Sequence, residues 1–184
     1  MNKLHLTRLI ILPALLAAGI ATTSPVVKAA DAPDSEQVSK LLSDAKTQAY
    51  QLKEDAATMQ SYTQSKVGWE SHAETVNQMR DHINAVGRTV TKLDEARATA
   101  SPWQATAIDR IKPLLKEIAS NTDSVIQYLN KNPKRLSMNE YKDYIEANSD
   151  EAAQLAELIA DFVSYGNNKN RMERLANKLE LPGM

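Results

Sequence analysis

Histidine offers the most versatile chemistry in this sequence, which has three histidines and no cysteine in 184 residues. His72 stands at an apolar position of a helical pattern, where a polar ring needs a partner. Met59 lies near the end of the preceding predicted helix, and folding the two helices together about their turn brings it close to the level of His72. Imidazole and thioether groups are common axial ligands of haem iron. A non-covalent haem bound at His72 is therefore one hypothesis.

Aromatic side chains give a second hypothesis for the same region. The predicted helix ends that meet near His72 carry Tyr62, Trp69, Tyr128, Tyr141 and Tyr144. An aromatic, hydroxyl-rich end of a helical bundle could bind a small ligand. It could equally close the core with side chains whose hydroxyl groups stay in water, which is the simpler interpretation. Basic residues rim this end, so it is the first place to look for a partner: Lys66, Lys131, Lys134 and Arg135.

A dedicated metal site is not expected. Di-iron bundles use a Glu-x-x-His motif on two helices, and the sequence has none. Glu70 and Glu74 lie two residues either side of His72 and so face other sides of its helix. His82 follows ten residues later, about 280° round the helix axis. The two imidazole rings therefore cannot share a metal within one chain.

Several enzyme classes are also excluded. Without cysteine there can be no disulfide, no thiolate metal site, no Cys-His pair and no covalently attached c-type haem. The glycines after residue 30 are widely separated, so no glycine-rich phosphate loop exists. A nucleophilic serine normally sits on a strained turn, which long helices do not provide. Carboxylates fall on predicted solvent faces, as Glu54 and Asp55 do. We predict a non-enzymatic protein without a cofactor.

The elements that position these residues follow from hydrophobic spacing. From Trp69 to Leu93 the large or apolar residues recur in alternating steps of three and four, the pattern of a coiled-coil seam. Three further stretches repeat this pattern. The sequence predicts an all-α fold, an antiparallel up-down-up-down four-helix bundle with helices near 34–64, 69–97, 102–130 and 138–165. A short fifth helix near 169–181 either folds back over the bundle or docks on a partner or membrane surface.

Capping signals set the predicted helix boundaries. Asp34 caps the first helix, and Ser71 with Glu74 could delay the second until His72. Ser101, Pro102 and Gln104 start the third, Ser137 and Glu140 start the fourth, and Gly166 ends the fourth as a C′ glycine.

Two pairs of residues are each predicted to lie at one level, that is, at the same height along the bundle axis on neighbouring helices. Gly87 should leave room where Pro113 kinks the third helix. Thr122 and Asn148 should form one polar layer, most simply a hydrogen-bonded pair that fixes the register of the two helices. A ligand contact at this layer is the other interpretation.

The N-terminus predicts export. Lys3 and Arg8 precede an apolar run at 9–21, and Val27 and Ala29 supply small residues for cleavage after Ala29. Residues 1–29 are therefore predicted to be a secretory signal peptide, followed by one domain at 30–184. That domain has 19 basic and 23 acidic residues, a net charge of −4, which gives no reason to expect nucleic acid as a partner.

The expected protein is a monomer without a transmembrane segment, in the periplasm or outside the cell. Its expected function is contact with a protein or the cell envelope. A small-ligand or haem carrier that uses the His72 end is the alternative.

Overall fold

The computed structural model describes residues 32–133 and 135–181, so the predicted signal peptide at 1–29 lies outside the described residues. The described chain is all-helical, as predicted. Its elements are α1 (Glu36–Tyr62), α2 (Trp69–Glu95), a 3₁₀ turn (Arg97–Thr99), α3 (Pro102–Lys131) and α4 (Asn139–Lys178). Helix α1 packs against α2 and α4, and α3 packs against the same two helices. The four helices thus enclose one core, as in a bundle.

The core is built from the predicted seam positions. Leu52, Ile111 and Leu155 are fully buried on three different helices. Burying a side chain of this size contributes roughly 1.5–3 kcal/mol, so the seams are the main source of stability. On α1 the seam includes three buried alanines, which allow a neighbouring helix to approach closely: Ala45, Ala49 and Ala56.

The helix starts only partly follow the predicted capping signals. Ser35, not Asp34, caps α1, and its Oγ accepts a hydrogen bond from the Val38 amide at 3.4 Å. Helix α2 begins at Trp69, the earlier of the two predicted starts, after Gly68. At α3 the Ser101 amide donates to Gln104 Oε1 at 3.0 Å, so this half of the predicted capping box is present.

The start of α4 differs from the prediction. Met138 occupies the N-cap position of α4 and makes no side-chain capping hydrogen bond, so the box predicted from Ser137 and Glu140 is wrong.

The predicted fifth helix is not separate, because α4 continues through Gly166 to Lys178 over 40 residues. A C′ glycine ends a helix by adopting a positive φ angle. No glycine of the described chain has a positive φ, so Gly166 does not act in this way. It is buried inside the helix instead, where the absence of a Cβ atom serves packing.

The two predicted levels have different outcomes. Thr122 Oγ1 donates to Asn148 Oδ1 at 3.3 Å in the core, which confirms the polar pair between α3 and α4. Gly87 borders a groove between α2 and α3, and a Cβ there would meet no atom of the described residues within 4 Å. Pro113 is exposed within α3 and does not line this groove. The predicted fit between Gly87 and Pro113 is therefore wrong.

Within residues 32–133 and 135–181, no helix combines the length and apolar character needed to cross a bilayer.

Candidate functional site

Four helices bring the predicted aromatic residues together around His72. Tyr62 ends α1, His72 lies in the first turn of α2, Tyr128 lies near the end of α3, and Tyr141 lies in the first turn of α4. His72 Nδ1 and Tyr141 Oη share a buried hydrogen bond of 2.8 Å. The four rings form what we call the His72 cluster: Tyr62, His72, Tyr128 and Tyr141.

The rings of the His72 cluster pack against one another. The Tyr62 and His72 centroids are 5.3 Å apart in an edge-to-face arrangement, and those of His72 and Tyr141 are 5.6 Å apart. Tyr128 and Tyr141 follow at 5.1 Å. Aromatic pairs at such separations are favourable beyond the area they bury, by about 0.5–1.5 kcal/mol each. The cluster therefore joins the four helices at this end of the bundle.

Polar groups around the cluster bind the C-terminal end of α3 and the connection that follows it. Trp69 Nε1 donates to the carbonyl of Leu129 at 3.1 Å. Tyr128 Oη donates to the carbonyl of Arg135 at 3.0 Å, in the connection to α4. The last carbonyls of a helix lack partners within the helix, so the Trp69 contact supplies one. Both contacts favour closure of the bundle end.

Burial favours the neutral forms of His72 and Tyr141. Burial lowers the pKa of His72, because the imidazolium form would lose hydration. Burial, followed by the neighbouring Tyr128, raises the pKa of Tyr141 well above its usual range. The hydrogen bond between the two side chains therefore joins neutral groups at neutral pH. A neutral imidazole can bind a metal or a ligand, although Tyr141 already occupies Nδ1.

A surface groove of about 410 Å³ lies beside the cluster. Tyr62, Trp69 and His72 line it, together with residues of the two adjacent connections, including Lys66. Met59 is buried in the core and does not line the groove. The structure thus brings His72 and Met59 to the same end of the bundle without placing both at one opening.

The other predicted site residues lie around this centre. Tyr144 is half-buried and packs against the core. Of the predicted basic rim, Lys131 and Arg135 are exposed, while Lys134 lies outside the described residues.

The second histidine has a different partner. His82 Nδ1 lies 2.6 Å from Asp55 Oδ2, across α1 and α2. In the part of the chain that the structure describes, no group of three or more His, Asp or Glu side chains could hold a metal ion.

The opposite end of the bundle has a polar junction that the sequence analysis missed. Trp103 Nε1 donates to Asp34 Oδ1 at 2.7 Å, and Lys169 Nζ donates to the same oxygen at 3.0 Å. The Trp103 ring lies against Gly166 and meets Tyr165 edge-to-face at 5.4 Å. We call these residues the Trp103 junction: Asp34, Trp103, Tyr165, Gly166 and Lys169. It ties the start of α1 and the start of α3 to α4.

Electrostatics holds Asp34 ionised in this junction. Burial alone would raise its pKa, but polar contacts with Ser101, Lys169 and Trp103, with the charge of Lys169, outweigh burial and lower it. The hydrogen bond to Asp34 in turn raises the pKa of Lys169. The Asp34–Lys169 pair is thus a charged contact at neutral pH.

Gln104 completes this end beside the junction. Its Oε1 accepts from the amides of Ser35 and Ser101, each at 3.0 Å. Its Nε2 donates to the Ser35 carbonyl at 2.9 Å and to Ser39 Oγ at 3.0 Å. The buried amide therefore uses all four of its hydrogen-bonding positions. The capping box predicted at the start of α3 identified Gln104, but it gave no indication of the contacts with Ser35 and Ser39.

Beyond the junction, α4 exposes apolar side chains. We call residues 165–181 the α4 tail. Among the described residues, five of the seven exposed large hydrophobic side chains lie in it, with exposed fractions of 43–62%: Tyr165, Met172, Leu175, Leu179 and Leu181. Helix α4 ends at Lys178, and the Leu181 amide then donates to the Ala176 carbonyl at 3.0 Å. This is the largest concentration of exposed apolar residues on the described chain.

A second groove, of about 560 Å³, lies between α2 and α3. Arg88, Lys112 and Lys116 border it, but Lys112 already pairs with Asp94 at 2.9 Å. Its apolar floor is nearly buried.

No family model, curated protein or solved structure matches this chain. Since no known protein indicates which surface is functional, the choice among the α4 tail and the two grooves rests on their exposure and charge. The apolar side chains of the α4 tail are the more exposed, which favours the tail as the candidate site.

Proposed function

We propose that this protein is an exported, non-enzymatic helical bundle that acts by contact with another protein or with the cell envelope. The observation that carries the proposal is the concentration of exposed apolar side chains in the α4 tail. A protein that needs only to fold gains nothing from exposing Met172, Leu175 and Leu179 together, and exposed apolar patches are typical of interaction sites. The tail, rather than the His72 end, is the proposed contact surface.

The antiparallel up-down-up-down order belongs to this proposal. It is supported by contacts between neighbouring helices in which residue numbers rise along one helix as they fall along the other, as antiparallel packing requires. Gln60 accepts from Ser149, and Lys53 donates to Glu157. Between α1 and α2 the pairs Asp55–His82 and Gln48–Thr89 follow the same rule. With its four seams satisfied inside one chain, the bundle is proposed to be a monomer, which sedimentation at micromolar concentration would test.

Export is proposed from residues 1–29, and its test is direct. The full-length gene product is expressed in a bacterium, and the protein recovered from the periplasm and medium is sequenced from its N-terminus. A chain that begins at Ala30 supports the proposal. A chain that stays in the cytoplasm with residues 1–29 intact would overturn the exported part of it.

The contact function is tested by placing a photoreactive amino acid at the position of Met172 in the producing cell. The matched control carries the same group at Tyr50, an exposed side chain on α1 outside the tail. Illumination should give cross-linked adducts from position 172 and none from position 50. Equal yields at both positions, or none at either, would contradict a contact role for the tail.

A ligand carrier is the second candidate function, favoured by the groove that His72 lines. The most specific form of this candidate is a haem carrier in which His72 would bind the iron through Nε2, the ring nitrogen that Tyr141 does not engage. Titration of the purified protein with haem, followed by absorbance, separates the two functions. A Soret band that shifts in wild type and not in His72→Leu would support the carrier. Identical spectra for both proteins would remove it.

A further inference from the structure

The apolar residues of the α4 tail do not continue the buried face of α4. That face runs in steps of three and four to Ile159, Phe162 and Gly166. The same steps lead next to Lys169, Glu173, Ala176 and Glu180. The exposed residues each come one position earlier, at Tyr165, Met172, Leu175 and Leu179. One residue corresponds to about 100° around a helix, so this stripe is turned away from the core.

The junction fixes the base of the tail. Lys169 is bound to Asp34, and Tyr165 packs on Trp103, so the first turn of the tail is held on the bundle. From Arg171 to Leu181 every side chain except Ala176 is exposed. The stripe therefore has a fixed direction, and from Met172 onward no neighbour from the described chain covers it.

Charge around the stripe points to an anionic partner. The tail holds four basic and two acidic residues, whereas residues 30–164 hold 15 basic and 21 acidic. Arg171 and Lys178 stand four residues before and three residues after Leu175, so both border the stripe on one side. An anionic surface would attract the tail and repel the body of the bundle. This asymmetry would orient the molecule with the tail toward that surface.

A second copy of the chain fits the stripe poorly. Antiparallel pairing of two tails would place Arg171 of one copy near Lys178 of the other, and like charges at such positions are unfavourable. The stripe also spans only about two heptads, whereas a coiled coil is expected over three or more. A lipid surface imposes neither requirement, because it needs an apolar stripe and basic residues but no register.

We infer that the α4 tail binds an anionic phospholipid surface, with Met172, Leu175 and Leu179 entering the lipid interface and Arg171 and Lys178 meeting the headgroups. This inference rests on the proposed function, of which it names the partner. The binding is weak and reversible, because the apolar stripe is short, and it falls as salt rises.

Vesicle co-sedimentation tests the inference. The processed protein is mixed with vesicles of phosphatidylcholine alone or of equal parts phosphatidylcholine and phosphatidylglycerol. We expect it to pellet only with the phosphatidylglycerol vesicles at low salt, and to be released by high salt. The triple variant Met172→Ser, Leu175→Ser, Leu179→Ser should stay in the supernatant with both.

A charge variant and a matched control test the recognition. Arg171→Gln with Lys178→Gln should weaken partitioning roughly 25-fold, since each interfacial basic residue contributes about fivefold. Arg88→Gln with Lys116→Gln removes the same charge from the groove between α2 and α3 and should change partitioning little. All four side chains are exposed, so circular dichroism should report an intact fold for both variants.

Two results would overturn the inference. One is no pelleting, or equal pelleting on both kinds of vesicle. The other is a dimer in sedimentation velocity without lipid that the triple serine variant abolishes, which would make a second copy the occupant. Absence of selective pelleting leaves N-terminal processing and cross-linking from position 172 unaffected, so the contact function can stand if the lipid inference fails. A tail-dependent dimer would in addition overturn the proposed monomer, and the adducts from position 172 would then join two copies of the chain.

Discussion

The ring of Trp103 lies so close to Gly166 that a Cβ atom there would stand 2.7 Å from Cη2 and 3.0 Å from Cζ2. The ring cannot easily move away. Its Nε1 is held by Asp34 at 2.7 Å, and one edge packs on Tyr165. Gly166 is therefore a contact glycine inside a helix, and its missing side chain is what lets α3 and α4 meet at this end.

Replacement of Gly166 gives the first prediction. Gly166→Ala should destabilise the protein by about 1–3 kcal/mol, because overpacking outweighs the better helix propensity of alanine. Gly87→Ala is the matched control, since Gly87 is also inside a helix and an added Cβ would meet nothing within 4 Å in the part of the chain that the structure describes. That variant should gain about 0.5–1 kcal/mol. Urea unfolding measures both. Equal gains in the two variants would mean that Trp103 is free to shift.

The His72–Tyr141 hydrogen bond gives the second prediction. His72→Leu should cost about 1–3 kcal/mol, because it leaves the fully buried Tyr141 hydroxyl without a partner. The double variant His72→Leu, Tyr141→Phe removes both polar groups and should recover most of that loss. A double-mutant cycle with Tyr141→Phe measures the coupling. A stabilised His72→Leu single variant would show that the imidazole is only a polar residue in an apolar seam.

The pH dependence of His72 gives the third prediction. Burial lowers its folded-state pKa below the ordinary value of 6.5, so between the two values the unfolded chain binds more protons. Wild-type stability should therefore fall as pH decreases below 6.5. The His72→Leu, Tyr141→Phe variant should lack this part of the fall. Urea midpoints of both proteins from about pH 8 to about pH 5 measure the difference. Parallel curves would contradict burial of a neutral imidazole.

Hydrophobic spacing predicted the helices and the core because one seam residue recurs in almost every turn. The same spacing placed His72, Tyr62, Tyr128 and Tyr141 at one end, and the structure brings these rings together. The Thr122–Asn148 pair was also predicted from the positions of the two residues along the bundle axis, and the structure contains it. These are features that follow from helix geometry.

The Trp103 junction could not be predicted in the same way. Asp34 and Gly166 were interpreted from local rules as an N-cap and a C′ glycine, and long-range contacts override both. The Asp34 carboxylate instead accepts hydrogen bonds from Trp103 and Lys169, which are more than 60 residues away in the sequence. Gly166 accommodates a ring from another helix. Local capping patterns carry no information about such partners, so the continuous α4 and its exposed tail were missed.

Asp34 gives the last prediction. Its carboxylate accepts from both Trp103 and Lys169, so Asp34→Ala should cost about 1–3 kcal/mol at neutral pH. Asp94→Ala is the matched control, since Asp94 pairs with Lys112 at 2.9 Å but is about half exposed, and should cost about 0–1 kcal/mol.

The pH dependence of this loss has a defined sign. The folded-state pKa of Asp34 lies below the ordinary 3.8, so the ionised carboxylate stabilises the fold above that value and ceases to do so as pH falls through the folded-state pKa. The gap between wild type and Asp34→Ala should be widest near neutral pH and shrink in acid. Hydrogen exchange should also become faster in Asp34→Ala at amides around Gly166 and Lys169, because the base of the α4 tail loses its anchor. A gap that stays constant to low pH, with unchanged exchange, would show that Asp34 contributes neither charge nor anchorage.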